Sequence, residues 1–157
     1  MLNENKSDES FMLEALRQAT YAFKEDEVPV GCVIVKDGKI ITKAYNQVEK
    51  LKDPTAHAEI LAITQACGEL GNKWLYDCTL YVTIEPCLMC AGALILSRIK
   101  RVVFGARDEK TGAFGSKIDI TKTKLNHDIE VNCGILSDEC GDIMTEFFRK
   151  KRVKVSE

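Results

Sequence analysis

The segment that most constrains the fold is TLYVTIEPCLMCAGALIL, residues 79–96, which joins an apolar strand directly to an apolar helix. Its β-branched and aromatic residues predict a strand over Thr79–Ile84. The proline that follows suits the first turn of a helix, which we predict over Pro86–Ser97. That helix is apolar on every side, so it must be covered by more than one neighbour. Cys87 and Cys90 therefore lie at a strand–helix junction inside a layered fold.

Helix and strand patterns alternate along the rest of the chain. Between two of the strand patterns, Asp37-Gly38 predicts a tight hairpin turn. The predicted elements are a helix over 10–24, strands over 28–35 and 39–45, a helix from 53 or 55 to 68 or 71, strands over 101–105 and 129–133, and a helix over 137–151. This alternation predicts a single α/β domain, residues 1–157, with helices on both faces of a sheet. We expect residues 1–9 to be frayed and residues 150–157 to form a basic tail.

The charge and composition of the chain reduce the number of functional classes to which it can belong. The chain has 22 basic and 24 acidic side chains, a net charge of −2, which excludes a protein that coats nucleic acid with its whole surface. A local patch can still bind one compact RNA feature. No run approaches the roughly 20 apolar residues of a membrane span, and the start MLNENKSDES lacks the apolar core of a secretory signal. We therefore expect no membrane partner, a cytoplasmic location and reduced thiols.

The two cysteines at the strand–helix junction are candidate metal ligands. Cys87 and Cys90 are three residues apart, so both sulfurs can reach one ion from one helix face. The positive end of the helix dipole favours thiolate over thiol, and thiolates suit zinc. A C-x-x-C pair alone is equally compatible with a redox pair or with two buried cysteines.

A third ligand comes from one of the two histidines. His57 lies at the start of the predicted second helix, two residues before Glu59, whereas His127 lies in a polar loop without matching neighbours. A His-Cys-Cys set with an open fourth position is typical of catalytic zinc. Cys133 or Cys140 could instead close the site and make it structural. In an open site, Glu59 would stand near the metal without binding it, where a proton shuttle is needed.

Two motifs together, H-x-E at 57–59 and P-C-x-x-C at 86–90, are typical of zinc nucleobase deaminases. Longer stretches extend the match from about residue 27 to residue 152: EVPVGCVIV, AYN, DPTAHAEI, TLYVTIEPCLMCAGALILSRIKRVVFGARDEKTGAFGS and GILSDECGDIMTEFFRKKR. On these residues the chain resembles the bacterial tRNA-specific adenosine deaminases, which belong to the zinc-dependent cytidine and deoxycytidylate deaminase superfamily.

The resemblance implies a fold and a reaction. The fold is a three-layer α/β/α cytidine-deaminase-like arrangement with a mixed five-stranded sheet, assembled as a homodimer. Each subunit holds one Zn²⁺ through His57, Cys87 and Cys90. The reaction is hydrolytic deamination of adenosine to inosine at the wobble position of an arginine tRNA with an ACG anticodon. Zinc-bound hydroxide attacks the base, and Glu59 transfers the protons.

The resemblance also implies contacts with the tRNA anticodon stem-loop. Asn46 matches the residue that hydrogen-bonds the flipped-out base, and Ala58 and the backbone around Glu85 match positions that line the base pocket. The contacts implied with the rest of the RNA are at Asp108, Lys110, Phe147, Phe148 and Arg149.

Two other functions remain open at this point. A metabolic deaminase of a free base or nucleoside, of guanine or cytosine type, would keep zinc and Glu59 but would not need the basic tail. A noncatalytic zinc module would not need Glu59. The basic run after Phe148 could also simply complement the dipole of the last helix, and a well-buried monomer is the alternative to a dimer.

Overall fold

Residues 4–156 are described by a computed structural model, which includes the side chains of residues 8–155. The helices are α1 (Glu4–Lys24), α2 (Val48–Leu51), α3 (Ala58–Leu70), α4 (Leu88–Leu96) and α5 (Ser137–Ser156). The strands are β1 (Gly31–Lys36), β2 (Lys39–Tyr45), β3 (Cys78–Ile84), β4 (Arg101–Ala106) and β5 (Glu130–Cys133). They form one sheet in the order β2-β1-β3-β4-β5. β1 is antiparallel to β2 and β3, whereas β3, β4 and β5 are parallel, so the mixed five-stranded sheet is confirmed.

Alternating strand residues build two apolar cores, one on each face of the sheet. The core beneath α3 and α4 takes Cys32, Ile34, Leu80, Val82, Val102 and Phe104 from the strands. The core beneath α1 and α5 takes the alternate residues Val33, Val35, Tyr81 and Val103. The period of two in a strand sends successive side chains to opposite faces. The three-layer α/β/α arrangement is therefore confirmed.

The N-terminal segment differs from the sequence prediction. Residues 1–9 were expected to be frayed, but α1 begins at Glu4, and residues 1–3 lie outside the described part of the chain. The reason is Asp8, whose buried carboxylate accepts hydrogen bonds from Tyr81 Oη at 2.6 Å and from Arg101 Nη1 and Nη2 at 3.0 and 2.9 Å. These bonds join the first turns of α1 to β3 and β4. At the other end, the expected basic tail is helical as far as Ser156.

Element boundaries shift where local chemistry competes with periodicity. The hairpin turn is confirmed, because Asp37 and Gly38 both have positive φ, at 51° and 74°. β1 begins at Gly31 and not at Val28, since Pro29 has no N–H for the sheet. α3 begins only at Ala58, because Asp53 accepts bonds from Thr55 N and Oγ1 in a turn of its own. Between residues 4 and 156, no helix is both long enough and apolar enough to cross a membrane.

Candidate active site and metal centre

The first turns of α3 and α4 meet at the carboxyl end of β3. His57 is the N-cap residue of α3, and Cys87 is the N-cap residue of α4. Both have extended backbone conformations, and neither side chain is used to cap its own helix. Their side chains are thus available to a shared ligand, and Cys90 joins them from the first turn of α4.

The distances among these three side chains fit a tetrahedral zinc ion. His57 Nδ1 lies 3.6 Å from Cys87 Sγ and 3.5 Å from Cys90 Sγ. Zinc bonds of about 2.3 Å to sulfur and about 2.0–2.1 Å to nitrogen, at a tetrahedral angle, separate the two donor atoms by about 3.5 Å. The donor set and its spacing therefore match zinc, which is the cofactor of this site.

The fourth position of the site is not filled by a cysteine. Within residues 8–155, the group that could hold a metal contains His57, Cys87 and Cys90 and neither of the other candidates. Cys140 is buried in the core beneath α1 and α5. Cys133 is exposed at the end of β5 and accepts a hydrogen bond from Arg107 Nη2 at 3.5 Å. The alternative that the sequence allowed, a structural zinc site with Cys133 or Cys140 as fourth ligand, is therefore not formed by residues 8–155.

Hydrogen bonding within the triad of His57, Cys87 and Cys90 favours the thiolate form of Cys87. The hydrogen bond from Cys90, with help from the neighbouring His57, outweighs the effect of burial and lowers the pKa of Cys87 to about 4. The same bond, together with burial and the nearby Glu59 carboxyl, raises the pKa of Cys90. Zinc ligation requires both sulfurs to be deprotonated, so metal binding releases the remaining proton.

Glu59 lies in the first turn of α3, beside the triad. Its side chain is 3% exposed and lines the same cavity as His57 and Cys87. Burial raises the pKa of its carboxyl, against the opposing effects of its own backbone N–H and of His57. A raised pKa makes a carboxyl a better proton acceptor while it remains able to donate the proton again, as general acid–base catalysis requires.

His57, Cys87 and Glu59 line a cavity of about 720 Å³. The volume is in the range of small-molecule sites. Asn46 and Ala58 line it, as the resemblance implied. Asn46 Nδ2 donates to Val28 O at 3.2 Å, and its Oδ1 accepts from Val48 N at 3.4 Å. Since an amide has two donor hydrogens and two lone pairs, Asn46 keeps one donor and one acceptor for a ligand.

Acidic side chains dominate the wall of this cavity. They are Glu25, Asp26, Glu27, Glu49, Glu59, Glu85 and Asp108, with Lys151 as the lysine among the lining residues. Lys151 Nζ is 2.8 Å from Asp26 Oδ2. This wall disfavours the phosphate of a ligand and favours a neutral base.

A second groove continues from the cavity and has the opposite charge. The two share Val28, Ile84, Asp108, Thr111, Met144, Phe148 and Lys151. The groove lies between the segment after β4 and α5. Its basic residues are Arg107, Lys110, Lys151 and Arg152, against Asp108 and Glu109. A chain of phosphates therefore fits the groove better than the cavity.

The structure brings most of the predicted contact residues to these two surfaces. Asp108 and Phe148 line both, Lys110 lines the groove, and Phe147 is 5% exposed and lines the cavity. Arg149 lines neither surface; its guanidinium pairs with Glu146 one turn away, at 2.7 Å.

Sequence reasoning missed Glu27, which is fully buried beside the cavity. Its carboxylate accepts from Glu49 N at 2.8 Å and Lys50 N at 2.7 Å, and so caps the one-turn helix α2, which was also not predicted. No sequence signal distinguishes this residue, because a glutamate before an apolar strand is usually solvated.

Comparison with known proteins agrees with this geometry. Residues 5–106 match the family described as the cytidine and deoxycytidylate deaminase zinc-binding region. A relative from Aquifex aeolicus named tRNA-specific adenosine deaminase is 52% identical over 145 residues, covering 92% of this chain and 95% of that protein.

Two solved structures have the same fold. One, from a study of A-to-I editing by tRNA:A34 deaminases at the wobble position of transfer RNA, superposes with a TM-score of 0.83 at 42% identity, covering 85% of this chain and 98% of that one. A guanine deaminase from Nitrosomonas europaea superposes with a TM-score of 0.75 at 27% identity, covering 88% and 83%. The chain therefore belongs to the zinc-binding cytidine and deoxycytidylate deaminase family, and within it to the group of the tRNA-specific adenosine deaminases.

Proposed function

We propose that this protein is a zinc-dependent hydrolase that converts adenosine to inosine at the wobble position of a tRNA. The substrate is an arginine tRNA with an ACG anticodon. The observation that carries the proposal is the continuity of two surfaces: a cavity lined by His57, Cys87 and Glu59, and a basic groove beside it. A flipped-out base fits the cavity while the flanking phosphates lie along the groove. The enzyme works as a single domain, in the cytoplasm, where that substrate occurs.

The reaction consumes one water and releases ammonia. When bound, zinc acts as a Lewis acid that activates water as a nucleophile near neutral pH. Glu59 accepts the proton of that water and passes it to the ring nitrogen of the base. It then transfers a proton to the departing exocyclic amine. Because Glu59 is 3% exposed, its carboxyl exchanges these protons without competition from bulk solvent.

Residues around Glu59 hold the base in place. Asn46 offers its remaining donor and acceptor to the polar edge of the purine. Ala58 is fully buried at the start of α3, and its small side chain leaves room for a flat ring. Since an unpaired loop base costs little to extrude, an anticodon loop suits this site better than a duplex.

The same chain forms a homodimer through α4. Leu88, Met89 and Leu96 are 58%, 37% and 76% exposed on that helix, although the helix also carries a fully buried face. A second subunit would remove this apolar surface from water.

One assay separates this function from a metabolic deaminase. The protein, loaded with zinc, is given an ACG anticodon stem-loop, free adenosine, guanine or cytosine, and ammonia release is measured. We expect rapid release with the stem-loop and at most slow release with the free compounds. The same stem-loop with guanosine in place of the target adenosine is the matched control. Rapid deamination of free guanine or cytosine, with no reaction on the stem-loop, would replace the tRNA function with the metabolic one.

A further inference from the structure

Glu85 is a buried carboxylate whose hydrogen bonds all go to one loop. It follows β3 and precedes Pro86, and its side chain is 1% exposed. Its Oε1 accepts from Asp108 N at 3.1 Å, and its Oε2 accepts from Phe114 N at 2.9 Å and Ser116 N at 3.2 Å. Ser116 Oγ also donates to Oε1. Bonds to an ionised acceptor are among the strong ones in a protein.

The loop approaches this carboxylate so closely that a side chain would not fit between them. A Cβ atom on Gly112 would lie 2.3 Å from Glu85 Cδ and 2.5 Å from Asp108 O. The loop also bonds to the metal-binding turn directly, because Ala113 N donates to Pro86 O at 2.9 Å. Residues 108–116, called the substrate loop below, are therefore held against the turn that carries Cys87.

The substrate loop borders both proposed binding surfaces. Asp108 and Thr111 line the cavity and the groove, and Lys110 lines the groove. The Asp108 side chain fixes the local turn by accepting from Lys110 N at 3.0 Å and Thr111 Oγ1 at 2.8 Å. Gly112 also pairs with Cys87 in an isolated antiparallel bridge, which includes the Ala113 bond. The position of the turn relative to the metal ligands therefore depends on this bridge and on the four side-chain bonds of Glu85.

We propose that Glu85 is a positioning residue, whose carboxylate fixes the substrate loop relative to the zinc ligands so that base and flanking nucleotides bind in register. This inference rests on the proposed tRNA function. Preorganisation of this kind lowers the cost of ordering a loop when the ligand binds. It predicts that a weakened anchor raises KM for the RNA and leaves kcat, which depends on Glu59 and zinc, close to that of the parent.

The principal test is Glu85→Gln in the zinc-loaded protein. Whichever way the amide is turned, its NH₂ group faces backbone N–H donors, so part of the anchor is lost. We expect KM for the ACG stem-loop to rise about tenfold or more, with kcat within about threefold of the parent and zinc content unchanged. Glu69→Gln, which removes one exposed carboxylate on α3, is the charge control and should leave KM unchanged.

The order of the substrate loop can be measured without RNA, by the rate of tryptic cleavage. Arg107, Lys110 and Lys117 are tryptic sites within or beside the substrate loop. Glu85→Gln should speed tryptic cleavage at these sites relative to the parent, whereas Glu69→Gln should not. If the parent did not deaminate the stem-loop, the tRNA function would fail, and the cleavage rates would still decide whether Glu85 holds the loop.

Gly112→Ala tests the contact between Glu85 and the substrate loop by changing the loop and not the carboxylate. It serves as the deciding variant if Glu85→Gln does not fold. The added methyl group pushes the substrate loop away from an intact Glu85, so the same rise in KM and in cleavage rate is expected. Gly68→Ala is its control, since a Cβ there meets nothing within 4 Å. A folded, zinc-loaded Glu85→Gln protein with KM within twofold of the parent overturns the proposal, whether or not its cleavage is faster.

Discussion

At the level of single residues, the zinc ligands and the other cysteines differ in their surroundings. Cys87 and Cys90 face His57 Nδ1, whereas Cys140 is packed against apolar side chains, where burial raises the pKa of its thiol to about 12. We predict that Cys133→Ser and Cys140→Ser keep about one zinc per chain and that Cys87→Ser loses it. Metal analysis of the purified variants checks this; loss of zinc from Cys133→Ser or Cys140→Ser would mean a closed site.

Glu59 is predicted to act in proton transfer and not in metal binding. Glu59→Gln keeps the size and the burial of the side chain but cannot exchange a proton. We expect turnover to fall by roughly 10²–10⁴-fold, with zinc content and Tm near those of the parent. Single-turnover kinetics on the stem-loop, with metal analysis of the same sample, provide the measurement. Activity within a few-fold of the parent would exclude Glu59 from the mechanism.

The convergence of His57, Cys87 and Cys90 could be predicted from the sequence because its geometry is local. Three residues on helix N-termini need only two correct helix starts to converge, and H-x-E and P-C-x-x-C mark those starts. Glu27 and the side-chain bonds of Glu85 could not be predicted, since their partners lie 22–31 residues away in the chain. Which backbone N–H groups a carboxylate meets is decided by the tertiary fold.

At the level of elements, hydrophobic periodicity predicted which helices and strands exist better than where they end. Each of the five strands was anticipated, but α3 begins several residues later than the capping pattern indicated, because Asp53 caps a separate turn. The one-turn helix α2 has no periodicity to detect and is held by Glu27 from outside. α1 extends beyond its apolar repeat because a polar residue, Asp8, anchors its first turns.

The anchor at Asp8 makes a stability prediction. Burial alone would raise the pKa of Asp8, but the hydrogen bonds from Arg101 and Tyr81 outweigh it and hold the pKa below its ordinary value of 3.8. Asp8→Asn should cost about 2 kcal/mol, less than a fully buried pair because Arg101 still reaches solvent. For a chain of this size, that corresponds to a Tm lower by roughly 4–8 °C.

The pH dependence of this effect has a definite sign. Since the folded pKa is lowered, the contribution of Asp8 is complete above about pH 5 and is lost as pH falls from about 4 through the folded pKa. Thermal melts of parent and Asp8→Asn should therefore converge towards low pH and differ most near neutrality. Glu146→Gln, which removes an exposed pair with Arg149, is the control and should hardly change Tm. A constant difference at all pH values would contradict the ionic account.

At the level of the whole molecule, the exposed apolar face of α4 predicts association. The parent should scatter light as a particle of twice the 17.6 kDa chain mass at micromolar concentration. Leu96→Glu places a charge in that face and should shift the mass towards 17.6 kDa. Leu13→Glu, at a leucine that is 54% exposed on α1, is the matched control and should stay dimeric. A parent that is monomeric at these concentrations would remove α4 as an interface.

Charge is also distributed at the scale of the whole molecule. The net charge of −2 is a sum over the chain, which has an acidic cavity and a basic groove side by side. Composition could not predict this separation, because it arises from which loop ends meet at one edge of the sheet. It accounts for how an acidic protein can bind RNA through one local surface.

The groove predicts which basic residues set the salt dependence of RNA binding. The slope of log K against log salt is negative, and each phosphate contact that is lost makes it less steep by about 0.7 for single-stranded RNA. Lys110 lines the groove and is exposed, whereas Arg149 lines neither surface and is paired with Glu146. Lys110→Ala should therefore weaken stem-loop binding and flatten its salt dependence by about one contact, with zinc content unchanged. Arg149→Ala should have the smaller effect on both, although the resemblance implied an RNA contact there. Fluorescence anisotropy of a labelled stem-loop between low and moderate salt measures both slopes, and a larger change for Arg149→Ala would mean that the RNA follows α5 and not the groove.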